Sequence, residues 1–343
     1  MTKITPVVLC GGNGTRLWPR SRPEKPKPFL PLIGDLTLFE ATLERCAGES
    51  SFTRPLIVTG DAHVPHVLKQ GGTGQGVGVI VEPMARNTAA AIALAAARLP
   101  ADAIMLVCPS DHYIADVAAF QQAANAAAQL AAQDWLVAFG IAPTMPETGY
   151  GYLKRGEPIE GGYTIDRFVE KPDLERAKAF LADGGYSWNG GIFAFRAGFF
   201  LEELSRHRPE IAAAAIRSVE LGKEEGNLFH PDSDTFAQIE SESVDYAVME
   251  ETARAAMVPA SMGWSDIGNW QSLRDARKAD QAGNRASGVV ELVDCNNVLV
   301  DSDGPRVSVI GMEDVAIVVD GNEILVTSMS AAQKVGKLQS IKS

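Results

Sequence analysis

Residues 7–32 read VVLCGGNGTRLWPRSRPEKPKPFLPL. The run Pro6 to Cys10 has the length and β-branched content of a buried strand. It stops at Gly11, Gly12 and Gly14, residues whose missing Cβ lets backbone N–H groups approach a ligand closely. Arg16, Arg20, Arg22, Lys25 and Lys27 follow, in a chain whose net charge is −12. Positive charge beside open amides points to a polyanion, most simply a nucleoside triphosphate. The competing reading is a strand-to-loop connection with a solvated basic face. The turn lacks the Gly-Lys-Ser/Thr ending of a P-loop and the third glycine of a dinucleotide fingerprint. Prolines at 19, 23, 26 and 28 forbid the helix that follows such turns. The segment therefore reads as a loop laid over a ligand.

Outward from this loop, strand and helix alternate. Strands are expected at 55–59, 77–81, 103–107 and 135–139. Helices are expected at 36–47, 61–69 (capped by Asp61), 89–99 and 120–132. Apolar strands of this kind fit burial on both faces, so the fold class is α/β: a Rossmann-like, mixed and mainly parallel sheet with helices on both sides. Ligands of such sheets bind at the carboxyl ends of the strands. The strand at 77–81 ends in Glu82-Pro-Met-Ala-Arg86-Asn87-Thr88, which either reads a base edge or caps the next helix. The strand at 103–107 ends in Ser110-Asp111-His112. A carboxylate there must be solvated, paired or bound to a cation, and it suits Mg²⁺; the alternative is a turn-forming Asp. Farther on, Gly149 opens a strand and Glu170-Lys171-Pro172 ends another. Asn189 offers a donor and an acceptor suited to a sugar edge. Asp266 sits in a tight turn before a helix at 270–277, where an N-cap would also suit it.

Gly-Gly-x-Gly-Thr-Arg-Leu-x-Pro at 11–19, followed by Pro26-Lys27, resembles the signature of the sugar-1-phosphate nucleotidylyltransferases. The wording at 17–23, at 109–112, at 187–193, at 243–250 and at 264–270 resembles the mannose-1-phosphate guanylyltransferase branch. The resemblance covers nearly the whole chain, with its motifs in the expected order. It implies transfer of GMP from GTP to mannose-1-phosphate, giving GDP-mannose and pyrophosphate. It assigns Gly11, Gly12, Gly14, Thr15, Arg16 and Lys27 to the nucleotide, together with base reading by Glu82, Arg86, Asn87 and Thr88. It gives Asp111 and Asp266 to Mg²⁺, and Gly149, Glu170, Lys171 and Asn189 to the sugar phosphate. Arg16, Lys27, Asp111 and Asp266 would carry catalysis. Two acids far apart in sequence, both in strand-end turns, fit a shared cation better than two unrelated caps. Pro28 matches thymidylyl and uridylyl relatives, which makes a glucose-1-phosphate enzyme the runner-up. A non-catalytic sugar-nucleotide sensor is the rival of another class.

The acidic balance argues against nucleic acid or an anionic membrane as a partner. Cys10, Cys46, Cys108 and Cys295 show no metal spacing and no disulfide scaffold, which suggests reduced thiols in the cytoplasm. The opening Met1 to Pro6 reads as no signal peptide, and no apolar run approaches the length of a membrane span. The division expected is a catalytic domain over 1–280 and a small β-domain over 287–343, joined by a polar linker at 279–287. Short apolar runs at 298–300, 307–310, 315–319 and 324–326 suggest a solenoid or sandwich, and the resemblance implies a short left-handed β-helix. A terminal helix is expected at 331–338. The resemblance also implies a homodimer, and a chain ending where longer relatives add an isomerase domain.

Overall fold

The computed structural model describes residues 3–12, 14–48, 51–72 and 76–338. Met1 and Thr2, part of the opening read as no signal peptide, lie outside them. The chain forms two compact units. The first holds the described residues of Met1–Gly11, Thr42–Ser110 and Ile114–Trp264; the second holds those of Gly12–Ala41, Asp111–Tyr113 and Ser265–Ser343.

Among the described residues the first unit is built on a sheet of eleven strands. Four parallel strands form its middle: β1 (Ile4–Cys10), β2 (Leu56–Gly60), β3 (Gly78–Glu82) and β4 (Ile104–Pro109). Their order is β3-β2-β1-β4, with Val7 opposite both Leu56 and Val107. The order thus reverses at β1, the kind of switch point where open α/β sheets leave a crevice beyond the carboxyl ends. Strand Tyr186–Arg196 runs antiparallel between β4 and Leu136–Ile141, so the sheet is mixed. Alternation along β4 shows why its strands are apolar throughout. Met105 and Val107 enter one core with Leu94, Phe195 and Phe200. Ile104, Leu106 and Cys108 enter another with Phe120 and Phe139. A strand buried on both faces cannot carry the polar alternation of a half-exposed one.

Helices form at Leu38–Arg45, Asn87–Arg98 and Val117–Ala131, close to expectation. The first is opened by a capping box: Thr37 N donates to Glu40 Oε2 at 2.9 Å, and Glu40 N to Thr37 Oγ1 at 3.1 Å. Asp61 does not cap its helix. It opens a 3₁₀ turn, Asp61–His63, and the α-helix starts at Val64 with Pro65 in its first turn.

The second unit holds the glycine loop and the C-terminal strands. Strands Arg285–Ser287, Leu299–Ser302 and Val315–Asp320 pair in parallel, as do Val290–Val293 and Val307–Ile310. Parallel stacking of short successive strands in two sheets is a solenoid pattern. The antiparallel strand Glu323–Ser328 ends it. The linker expected at 279–287 is instead part of this structure. Asn284 is buried, donating to the Cys295 carbonyl at 3.0 Å and accepting from Val298 N at 3.0 Å. Its polarity serves backbone groups of the coil rather than solvent. The terminal segment Met329–Lys337 is 3₁₀, not α. Trp270, Leu17, Leu299, Val318 and Val335 share this unit's main core. Among the described residues, no helix is long and apolar enough to cross a membrane.

Candidate active site

After Gly11 the backbone passes through two 3₁₀ turns, Thr15–Leu17 and Lys27–Phe29. No long helix follows, as the prolines require. A Cβ on Gly11 or Gly12 would meet nothing within 4 Å. Gly14 is different: φ is 57°, and a Cβ there would lie 2.5 Å from Lys27 Cβ and 2.8 Å from Ser21 Oγ. Glycine at 14 therefore lets the loop close over Lys27.

Lys27 is 5% exposed. Its ammonium donates to Asp111 Oδ2 at 2.8 Å and to the Asp266 carbonyl oxygen. A buried ammonium needs such partners to offset its lost hydration. Burial alone would raise the Asp111 carboxyl; Lys27, with help from His112, outweighs it and holds that carboxyl below the ordinary value. Asp266 Oδ1 accepts from Gly268 N at 3.0 Å, so the helix that follows takes its cap from Asn269, whose Oδ1 accepts from Ser272 N. Between them Ile267 has φ 45°, a conformation that a β-branched residue rarely adopts. Lys27, Asp111 and Asp266, separated widely in sequence, are thus brought together. Arg16 is exposed, with Nη1 donating to Gln333 Oε1 at 3.2 Å. The rest of the basic run does not share this place. Arg20 and Arg22 pair instead with the buried Asp301 and Asp320.

In the first unit, the loop after β3 divides its residues between structure and surface. Neither Asn87 nor Thr88 caps the helix. Asn87 has φ 66° and accepts from Thr88 N; Thr88 Oγ1 accepts from Val244 N at 2.9 Å. Arg86 Nη2 donates to the Ala237 carbonyl at 2.7 Å. The Glu82 side chain forms no hydrogen bond or ion pair with a described residue, and burial pushes its carboxyl up to about 7.

The sugar-phosphate candidates gather in the same unit. Glu170 Oε1 lies 2.8 Å from Lys171 Nζ, with the Glu170 side chain 9% exposed and that of Lys171 61%. This pairing raises the Lys171 ammonium above its ordinary value. Lys171 sits at φ 45°. Asn189 donates to Asp245 Oδ1 at 2.9 Å and accepts from Gly191 N at 3.1 Å. A Cβ on Gly151 would fall 2.6 Å from Glu170 Oε2 and 3.3 Å from Asn189 Cβ, which ties these two side chains to one strand start. Gly149 N donates to Glu147 Oε1 at 2.9 Å, so that amide is already engaged. Asp245, in the 243–250 stretch that the sequence offered as facing the sugar, joins the cluster through Asn189; burial first, then Glu170, pushes its carboxyl up to about 7. It sits in an irregular helical turn, Asp245–Met249.

The family described as Nucleotidyl transferase matches residues 5–283. The chain belongs to the nucleotidyl transferase family. Among curated relatives, the xanthan biosynthesis protein XanB of Xanthomonas campestris pv. campestris (strain B100) is 44% identical over 347 residues, covering 99% of this chain and 73% of that one. The alginate biosynthesis protein AlgA of Pseudomonas aeruginosa is 42% identical over 341 residues, covering 97% and 70%. The mannose-1-phosphate guanylyltransferase of Escherichia coli (strain K12) is 41% identical over 350 residues, covering 98% and 73%. Among solved structures, one described as a mannose-1-phosphate geranyltransferase from Thermus thermophilus superposes with a TM-score of 0.90 at 33% identity, covering 100% of both chains. A UDP-glucose pyrophosphorylase complexed with UDP-glucose shares the fold at a TM-score of 0.53 and 16% identity, covering 80% of this chain and 97% of that one.

Nucleotidyl transferases generally use a divalent metal such as Mg²⁺. One donor suited to it, the Asp111 carboxylate, is present here. Asp111 already holds a cation, the Lys27 ammonium, which also takes the Asp266 carbonyl. Among the described residues no group of three or more His, Cys, Asp or Glu is placed to hold a metal ion. The Asp111 carboxylate is a hard oxygen donor of the kind Mg²⁺ takes when substrate phosphates supply the rest, whereas Asp266 meets the same ammonium through its backbone carbonyl and its Oδ1 accepts from Gly268 N.

Proposed function

We propose that this nucleotidyl transferase transfers GMP from GTP to mannose-1-phosphate, releasing pyrophosphate and GDP-mannose. The coarser activity, sugar-1-phosphate nucleotidyl transfer, follows from the family and the relatives. The choice of GTP and mannose rests on the mannose-1-phosphate guanylyltransferases of E. coli and Salmonella typhimurium, 41% and 40% identical across nearly the whole chain. The observation that carries the reading is Lys27, buried and bridging Asp111 and Asp266 beside the glycine loop. Pro28 favoured a uridylyl or thymidylyl enzyme in the sequence. It is buried inside the 3₁₀ turn Lys27–Phe29, where its fixed φ suits the backbone, so it has a local reason to be there.

A phosphate oxygen of mannose-1-phosphate is a nucleophile at neutral pH, so no general base is required. It bonds to the α-phosphorus of GTP, and the bond from that phosphorus to the β-phosphate oxygen breaks as pyrophosphate leaves. The obstacle is repulsion between anions and charge build-up on the α-phosphate, which positioning and fixed positive charge relieve. Arg16, Lys27 and the amides of Gly11, Gly12 and Gly14 bind the triphosphate, beside Thr15. Glu82 accepts from the base edge, in a loop that Arg86, Asn87 and Thr88 shape. Lys171 neutralises the sugar phosphate, and Glu170 and Asn189 accept from and donate to sugar hydroxyls, beside Gly149. Asp111 and Asp266 would hold Mg²⁺, which supplies charge neutralisation of the triphosphate when bound.

The cytoplasm as its place of work and a homodimer as its assembly belong to the same proposal, as does a functional division into 1–280 and 287–343. The test is pyrophosphate release from GTP, UTP, dTTP and ATP against mannose-1-phosphate and glucose-1-phosphate with Mg²⁺. GTP with mannose-1-phosphate is expected to dominate. Preference for UTP or dTTP with glucose-1-phosphate would establish the runner-up, and tight sugar-nucleotide binding without turnover would establish a sensor.

A further inference from the structure

The basic run contains more positive charge than its phosphate role uses. Arg20 Nε donates to Asp301 Oδ1 at 2.8 Å, and its Nη2 reaches the same oxygen. Arg277 Nη2 takes the other Asp301 oxygen at 2.5 Å. Arg22 Nη2 lies 2.7 Å from Asp320 Oδ1, while its Nε holds the Pro19 carbonyl at 2.8 Å. Arg20 and Lys25 also face Asp320, at 3.7 and 3.6 Å. The two aspartate side chains are 3% and 5% exposed. They lie on paired parallel strands of the C-terminal coil, Leu299–Ser302 and Val315–Asp320.

Buried carboxylates are costly, and nothing in the packing of a β-coil calls for two of them. Their use is to take hold of the loop. Further ties run the same way: Trp270 Nε1 donates to the Trp18 carbonyl at 2.9 Å, and Arg16 reaches Gln333 in the terminal 3₁₀ segment. The loop from Gly14 to Lys27 is thus fastened at Arg16, Trp18, Arg20 and Arg22. A proline-rich, glycine-opened loop held within itself only by short turns would otherwise lose much conformational freedom on binding.

We infer that Asp301 and Asp320 are positioning residues for the nucleotide. By fixing Arg20 and Arg22 they hold the glycine amides, Arg16 and Lys27 in the form that receives the triphosphate. This rests on the loop being the triphosphate site. It makes the C-terminal coil part of the nucleotide-binding apparatus and separates the basic run by role. Arg16 and Lys27 face phosphate, while Arg20 and Arg22 anchor the loop.

Asp301→Asn, Asp320→Asn and Asp320→Glu in the full chain test the inference. KM for GTP and KM for mannose-1-phosphate are measured separately, alongside thermal unfolding. KM for GTP should rise about tenfold in both Asn variants, with KM for mannose-1-phosphate within about twofold of wild type. Asp320→Glu should recover part of the loss. In a double-mutant cycle, Arg22→Gln with Asp320→Asn should be little worse than either alone. Arg22→Gln, at the half-exposed partner, serves the same purpose should a buried variant fail to fold. An unchanged or lower KM for GTP in the folded variants would overturn the inference, the lower value meaning that freed arginines bind phosphate themselves. So would an equal rise in both constants. A wild-type chain inactive with every substrate pair contradicts the functional reading instead; titration with Mg-GTP then decides the inference, which requires weaker binding in the Asn variants.

Discussion

Lys27 is 5% exposed, and its two partners are the residues that the sequence reading gave to one shared cation. Replacing Asp111 or Asp266 by Asn keeps shape and removes charge. Each variant should lose roughly 100-fold or more in kcat/KM, on the scale of removing one electrostatic contact in an active site, with circular dichroism unchanged. Near-normal rates in both would sink the shared-cation assignment. Glu82 gives a pH prediction. Burial pushes its carboxyl up to about 7, so it is protonated below that pH and ionised above it. Guanine offers N–H donors on its pairing edge, which an ionised carboxylate accepts better than a protonated one. Affinity for GTP should therefore climb as pH rises through about 7. The same raised value means that stability contributed by Glu82 is present below the ordinary carboxylate range and is lost as pH rises through about 7. In Glu82→Gln the climb in affinity should vanish. A variant with the wild-type pH slope would remove Glu82 from base reading.

Elements with strong periodicity were legible. The strands β1 to β4 and the alanine-rich helices stand within a few residues of their expected bounds, because burial on both faces leaves an uninterrupted apolar run. What was not legible has a common cause: a polar residue's partner is set by tertiary structure. Asn284 looked like linker and is buried in the coil. Asp301 and Asp320, each directly after one of the short apolar runs, pair with arginines far away in sequence. Asp61, Asn87 and Thr88 matched the cap preference without serving as caps, while Asp116, Asp173 and Asn269 do serve. The left-handed backbone at Asn87, Lys171 and Ile267 is a signal that only structure supplies, and each lies in or next to a candidate site residue. At this scale the helix Trp270–Ala276 is decisive for the loop. Trp270 is fully buried and bonded to the Trp18 carbonyl. Trp270→Ala should cost about 3–5 kcal/mol of stability by denaturant unfolding. Trp270→Phe should cost less, because it keeps most of the packing and leaves only the Trp18 carbonyl unpaired. Equal, small costs would contradict the role given to this side chain.

For the whole molecule, the sequence order and the compact units tell different things. The chain leaves the first unit after Gly11, returns at Thr42, leaves again for Asp111–Tyr113 and finally at Ser265. Two of those departures begin at the carboxyl ends of β1 and β4, the strands at the switch point of the sheet, and they carry Lys27 and Asp111. In the proposed reaction the protein has little covalent chemistry of its own to perform, and the proposal places the phosphate contacts on these segments. A sugar phosphate attacks the α-phosphate of GTP in the proposed reaction. Mannose-1-phosphate labelled with heavy oxygen on its phosphate, turned over with unlabelled GTP and Mg²⁺, tests it most directly by mass spectrometry of both products. GDP-mannose should retain all the label and pyrophosphate should carry none. Label in pyrophosphate, or a sugar nucleotide that has lost it, would contradict the account.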